Sequence, residues 1–338
     1  MFTQEGREML LALLLVYILS GILLIVTPAS AESTDDFVIT VKTDNPGTSS
    51  DNQFTIPTHP GSSYLYDVDC DNEKPDEIIG ATGDATCNYD RPGTYTIRIK
   101  EKIHGNGFPR IFFNYLGDKD KIISIDQWGT GLWSSMAQSF YGCSNLAGQA
   151  VDTPDLSNVT DMSYMFCGAQ AFNQNIGNWD THNVEDMSRM LCGANAFNKD
   201  IGEWDTSNVK WMLRMFYYAS AFNQDIGNWD TSSVENMQEM FKGASSFDQD
   251  IGGWNVEALT NAVQMFDFGA GLSTANYDAL LIGWNAQSLK PDVILGAGNS
   301  TYCLGQSARE NMISADGWII TDGGKNCPYI IFLPLVNN

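Results

Sequence analysis

Apolar residues return every 25 positions from about Ala147 to Ala270, and this period organises the chain. Phe172, Ile176 and Trp179 come back as Phe197, Ile201 and Trp204, then as Phe222, Ile226 and Trp229, then as Phe247, Ile251 and Trp254. Polar residues and Gly separate them, followed by turn formers such as Asp180-Thr181-His182-Asn183. Phe172 and Ile176 share strand parity and Trp179 does not, so a short strand must bend near Gly177 to turn Trp179 inward. Val184, Met187, Met190, Leu191 and Ala194 then follow at helical spacing. Asn183 with Asp186 after it matches an N-cap arrangement. Each unit is therefore expected to be a strand, a turn and a short helix or 3₁₀ segment.

The register extends both ways. Val159, Met162, Met165 and Phe166 repeat the second half upstream, and Met136 and Phe140 do so with one residue inserted. Leu259, Met265 and Phe266 keep the pattern downstream, with Ala262 in place of a Met. The expected fold is an α/β solenoid, a leucine-rich-repeat-like right-handed array of about six rungs over 125–271. Stacked units bury a face that one unit cannot, and degraded end units cap the stack. The Met and Trp rows are core filling in this reading.

The flanks have other periods. Phe37–Lys42, Tyr64–Asp69 and Gly93–Lys100 alternate apolar and polar residues between Pro-, Gly- and Ser-rich turns, so 32–124 reads as a small all-β sandwich. In 272–338 a cap is expected, with helical spacing from Tyr277 to Trp284, a second short helix over Ala308–Ser314 and a strand at Trp318–Thr321. The last apolar run, Tyr329–Val336, is too short to span a bilayer and reads as a docked edge strand or an attachment tail. Residues 1–31 read as a secretory leader: an apolar run from Met9 to Val26, then Ala29-Ser30-Ala31 as the cleavage signal. The run is long enough to serve instead as an uncleaved anchor. Either way the expected location is secreted or cell surface.

The unit Phe-Asn-Gln-Asp-Ile-Gly-Asn-Trp-Asp-Thr at 222–231, with Val234, Met237, Met240, Phe241, Gly243 and Ala244 after it, resembles the repeat of BspA-like bacterial surface proteins. Leu272–Trp284 and Gly317–Gly324 are similar to the segment closing such arrays. The stretch Tyr64–Asp71, then Thr82–Tyr89 and Pro92–Ile97, resembles the PKD-like sandwich that often precedes them. The resemblance implies a secreted or surface-attached protein used in adhesion or recognition, with no established active site. Cys70 and Cys87 stand in that β-domain as a candidate disulfide or two buried thiols. Cys303 and Cys327 flank the cap and are expected to pair. Cys143, Cys167 and Cys192 fall beside Gly in successive units, as packed thiols or with one disulfide between neighbours.

A net charge of −23 disfavours nucleic acid and anionic lipid headgroups as partners and keeps a secreted chain soluble. No membrane contact is expected except through an uncleaved leader. The Asp rows bring in calcium as the only candidate cofactor. Asp180, Asp205 and Asp230 repeat in register, where they either flank calcium between rungs or accept N–H bonds in their own turns. Asp67, Asp69 and Asp71 resemble the opening of an EF-hand loop, but Asn72 stands where Gly is needed and Ile78 where the closing Glu belongs, which leaves only an irregular site. Trp211, Tyr217 and Tyr218 depart from the repeat and are candidate contacts. The three histidines are scattered, and no nucleophile, zinc or phosphate motif is present. The expected function is non-catalytic recognition of an extracellular protein or glycan. A surface-layer component and a polysaccharide-degrading enzyme using paired carboxylates are the alternatives.

Overall fold

The computed structural model describes residues 33–71, 76–102 and 107–327. The expected leader, the tail Tyr329–Val336, and Asn72 and Glu73 of the acidic loop lie outside them. The described residues from Asp35 on belong to one compact unit.

Its first part is antiparallel β-sheet. β1 (Phe37–Lys42), β3 (Tyr66–Asp69), β4 (Ile78–Ala81), β6 (Thr94–Glu101) and β7 (Ile122–Gln127) form one sheet in the order β4-β3-β6-β1-β7. β2 (Gln53–Ile56) and β5 (Ala85–Asn88) pair separately. Ile39, Val41, Val68, Ile97 and Ile99 from the first sheet and Phe54, Ile56 and Cys87 from the second join one buried cluster. The Cys70–Cys87 disulfide ties the residue after β3 to β5 and so links the two sheets, with Cα atoms 5.6 Å apart. The expected boundary at 124 falls inside β7. That strand pairs with β1 on one side, and the N–H groups of Ala147, Gln149 and Ala150 donate to Ile123 and Ile125 on the other. The start of the repeats thus covers an edge that would otherwise offer unpaired backbone groups.

The expected α/β leucine-rich-repeat-like solenoid is corrected by the structure. Regular structure is mostly antiparallel sheet, and among the described residues the two α-helices both lie after the repeats. From 134 to 271 the chain runs in turns, joined by isolated parallel bridges such as Asp161 to Asp186, Asp186 to Trp211 and Trp211 to Asn236. The backbone shows why Val184–Ala194 is not a helix. Met187, Arg189, Leu191 and Gly193 donate their N–H groups to the following repeat, at Trp211, Leu213, Met215 and Tyr217. The residues between them turn back three positions, Met190 to Met187, Cys192 to Arg189 and Ala194 to Leu191. An α-helix would send every N–H four residues back. Arg189 also has a φ of 57°, the left-handed value that stops a helix. Three-residue turns bring the same residues inward as a helix would, so the apolar spacing alone could not separate the two.

Neighbouring repeats nevertheless pack side chain on side chain. Phe172, Phe197, Phe222 and Phe247 are buried with successive ring centroids 6.0 Å apart. Trp204, Trp229 and Trp254 stack at 6.3 Å, and each indole N–H donates to the Ile carbonyl one repeat back, at 2.9–3.0 Å. Gly202 and Gly227 are required here for a reason other than a bend. A Cβ on either would lie 2.7 Å from the carbonyl oxygen of Asp225 or Asp250 in the next repeat.

After the repeats come α1 (Thr274–Asn285), β8 (Ile294–Gly296), α2 (Gln306–Asp316) and β9 (Ile319–Thr321), with β8 and β9 parallel. Ser273 caps α1 by accepting from the Asn276 N–H. Trp284 on α1 donates to the Ile251 carbonyl, as the repeat tryptophans do. Cys303 and Cys327 are disulfide-bonded. The buried cluster runs from Phe37 through the repeats to Ile320 without a break, so one cooperative unfolding transition is expected.

Candidate functional site

The repeated carboxylates are engaged in their own turns. Asp205 accepts the Ser207 N–H at 3.0 Å and its hydroxyl at 2.6 Å; Asp230 accepts the Ser232 N–H, and Asp180 contacts the His182 N–H and ring. The Ser207 bonds hold the Asp205 carboxyl below its ordinary value. In the parallel row, Asp200, Asp225 and Asp250 accept the N–H groups of Gly202, Gly227 and Gly252. All three expected calcium candidates of the repeats are exposed and occupied in this way. Asp67 is bound by the Lys102 ammonium at 2.8 Å and the Gly80 N–H at 2.7 Å.

Asp69 and Asp71 do come together, joined by Glu77, which the spacing did not single out. One ligand oxygen of each lies within 4.8 Å of the others. Three carboxylates in that span suit a divalent cation. Two features already serve part of this charge: the Cys70 N–H donates to Glu77 at 2.8 Å, and the Lys100 ammonium stands 3.8 Å from Asp69.

A second cluster forms on the outward edge of the turn segments. It is made of rows whose members stand one repeat apart. Asp161, Asp186, Asn236 and Asn261 share a bridged row with Trp211, and each of the four accepts the N–H two residues on through its side-chain oxygen. An indole cannot accept that bond, and Trp211 is 40% exposed with Lys210 over its ring. In another row Gly142, Gly168, Gly193 and Gly243 have φ of 66–84°, while Tyr218 and Phe268 hold the same backbone at 54° and 58°. A side chain in that region costs on the order of 1 kcal/mol, and here the side chains are 42% and 68% exposed. The Tyr218 ring lies over Gly243, where an added Cβ would meet it at 2.7 Å.

A third row is left-handed in every repeat without any Gly: Tyr164, Arg189, Arg214, Glu239 and Gln264 have φ of 54–58°. Its long side chains reach outward between repeats. Arg214 pairs with Glu239 and lies 5.5 Å from the Tyr217 ring centroid, and Lys242 also binds Glu239. Arg189 hydrogen-bonds the Tyr164 hydroxyl and stacks on that ring at 4.8 Å. Of the three aromatic residues singled out by sequence, Trp211 and Tyr218 are exposed and Tyr217 is half-buried against Tyr218. Phe268 and Arg189 were missed. The register would have found Phe268, which falls 25 residues after Gly243.

The three free thiols do not share one row. The inserted residue puts Cys143 on the inner side, fully buried, while Cys167 and Cys192 face each other across neighbouring repeats. The hydrogen bond between these two raises the Cys167 pKa and lowers that of Cys192, which Arg189 and Arg214 lower further. Burial pushes the Cys143 thiol far up. Iodoacetamide should therefore label Cys192 first and Cys143 only on unfolding. Peptide mass spectrometry reads this, and labelling of Cys143 in the native protein would contradict it.

No curated protein and no solved structure matches this chain. A family model described as "Mycoplasma protein of unknown function, DUF285" matches residues 134–230 and again 203–290, so the similarity lies over the repeats and the first helix of the cap.

Proposed function

We propose that this protein is a secreted or surface-held recognition protein that binds an extracellular glycan or protein through the outward edge of its repeats, without catalysis. One observation carries the reading. Trp211, Tyr218 and Phe268 each stand where the other repeats keep a residue that suits the backbone, an Asp or Asn for a turn bond or a Gly for a left-handed φ. Each departure gives up local stability and puts a large ring into solvent. Exposed aromatic rings beside cations are the composition of energetic hot spots. Local rules broken at exposed positions are what a functional surface produces. The resemblance to bacterial surface repeats and the two disulfides point the same way.

The test is a panel of extracellular glycans and matrix proteins, probed with the wild type and with Trp211→Asn/Tyr218→Gly/Phe268→Gly. Capture by the wild type that the triple variant loses supports the reading. Equal capture by both removes the edge from recognition.

A further inference from the structure

The ligand class can be taken further, on the reading that this edge is the binding surface. We propose that the edge binds a carboxylate-bearing polysaccharide, its sugar rings against Trp211 and Tyr218 of one repeat and an acid group on Arg189 of the repeat before it. Charge placement is the first argument. The segment 134–271 has five basic residues in a strongly acidic chain, and four of them, Arg189, Lys210, Arg214 and Lys242, fall on this edge. All four lie over aromatic rings, so cation and ring face the same ligand.

The second argument is one missing partner. Arg189 and Arg214 hold the same place in successive repeats, which puts like charges side by side. Glu239 neutralises Arg214, and Glu185 does the same for Lys210. Among the described residues no carboxylate pairs with Arg189, whose guanidinium is fixed by the Tyr164 hydroxyl and ring. A held guanidinium with a free donor edge suits a planar carboxylate in two-point contact.

The third argument is shape. A stable protein interface needs a broad apolar centre depleted of charge. Here the exposed rings are few: Trp211 and Tyr218 stand in neighbouring rows of one repeat and Phe268 two repeats beyond Tyr218, with Lys210 over Trp211 and Lys242 over Phe268. A narrow linear chain with flat apolar ring faces and regularly spaced acids fits that strip better than a folded partner. The carboxylates on this edge are themselves engaged, Asp186 by the Ser188 N–H, Glu185 by Lys210 and Glu239 by Arg214 and Lys242, and charges beyond about 8 Å are screened at physiological salt.

The experiment titrates the full disulfide-bonded chain with oligogalacturonate and alginate oligomers, with their carboxyl-reduced counterparts of equal length, and with poly-glutamate. At least one carboxylated chain should bind, and its reduced form should bind at least about tenfold more weakly, or about 1.4 kcal/mol. Arg189→Gln should lose a similar factor while folding normally, since Gln holds this place at Gln264. Arg189→Lys, which keeps charge without the fork, should fall between. Equal binding of the reduced chains, no binding of either acidic chain, or stronger binding of poly-glutamate overturns the proposal. These failures are separable from failure of the recognition edge. Panel capture lost by the triple variant without uronate binding would sink only the ligand class, whereas capture that the triple variant retains would sink both.

Discussion

Phe222→Ala should lower the unfolding free energy by about 4 kcal/mol, among the largest losses expected from a single repeat position. Phe222 is fully buried at the middle of the phenylalanine stack, 6.0 Å from Phe197 and Phe247 and 4.0 Å from Phe216 by ring centroids. Phe197 and Phe247 are fixed by three-residue turns to Ala194 and Ala244, and Phe216 by its N–H bond to Met240 in the next repeat, so they cannot collapse far into the cavity. The transition should stay single, because the buried cluster is continuous from the sheets to the cap. Urea unfolding followed by tryptophan fluorescence and by far-ultraviolet circular dichroism checks both points. Two separated transitions would mean that the sheets and repeats are independent.

Glu239→Ala is the second large effect, a loss of about 3 kcal/mol near neutral pH. Glu239 is nearly buried and accepts from both Arg214 and the Lys242 ammonium, the latter at 2.6 Å. Its removal strands Lys242, itself buried, with Gln264 as its remaining side-chain partner. Burial pushes the Glu239 carboxyl up, yet the bonds from Lys242 and Arg214 outweigh it and hold the pKa below its ordinary value. A depressed carboxyl pKa stabilises the fold above the unfolded value, about 4.3, and that contribution fades as pH falls through the folded value. The gap between wild type and variant should therefore narrow in acid below about pH 4. Denaturant unfolding at neutral and acid pH measures it, and a constant gap would count against the ion-pair account.

The sequence pattern carried the inward residues well and the backbone poorly. Phe222, Ile226, Trp229, Met237 and Phe241 are all buried, as their periodicity required. The short helix or 3₁₀ segment expected over Val184–Ala194 is a run of three-residue turns; these and a helix place apolar residues alike, and only the alternate N–H bonding to the next repeat separates them. In the flanks, where strand alternation and caps are unambiguous, Phe37–Lys42, Thr274–Asn285 and Gln306–Asp316 form close to the expected places. The acidic cluster was half legible. Asp69 and Asp71 flank Cys70 in sequence, but Glu77 reaches them only through the antiparallel pairing of β3 with β4. On the edge proposed for recognition, Trp211 and Tyr218 could be found as breaks in the repeat. The bare charge of Arg189 could not, because it depends on which carboxylates reach the neighbouring cations.

On the proposed reading, Trp211, Tyr218 and Phe268 are kept against the interest of the fold. The most direct measurement is the melting temperature of Trp211→Asn/Tyr218→Gly/Phe268→Gly beside the wild type. The expected Tm is equal to or a few degrees above the wild type, since the substitutions restore a turn bond and relieve two left-handed side chains. A Tm several degrees lower would show that the three rings hold the fold together, and the recognition edge would lose its main support.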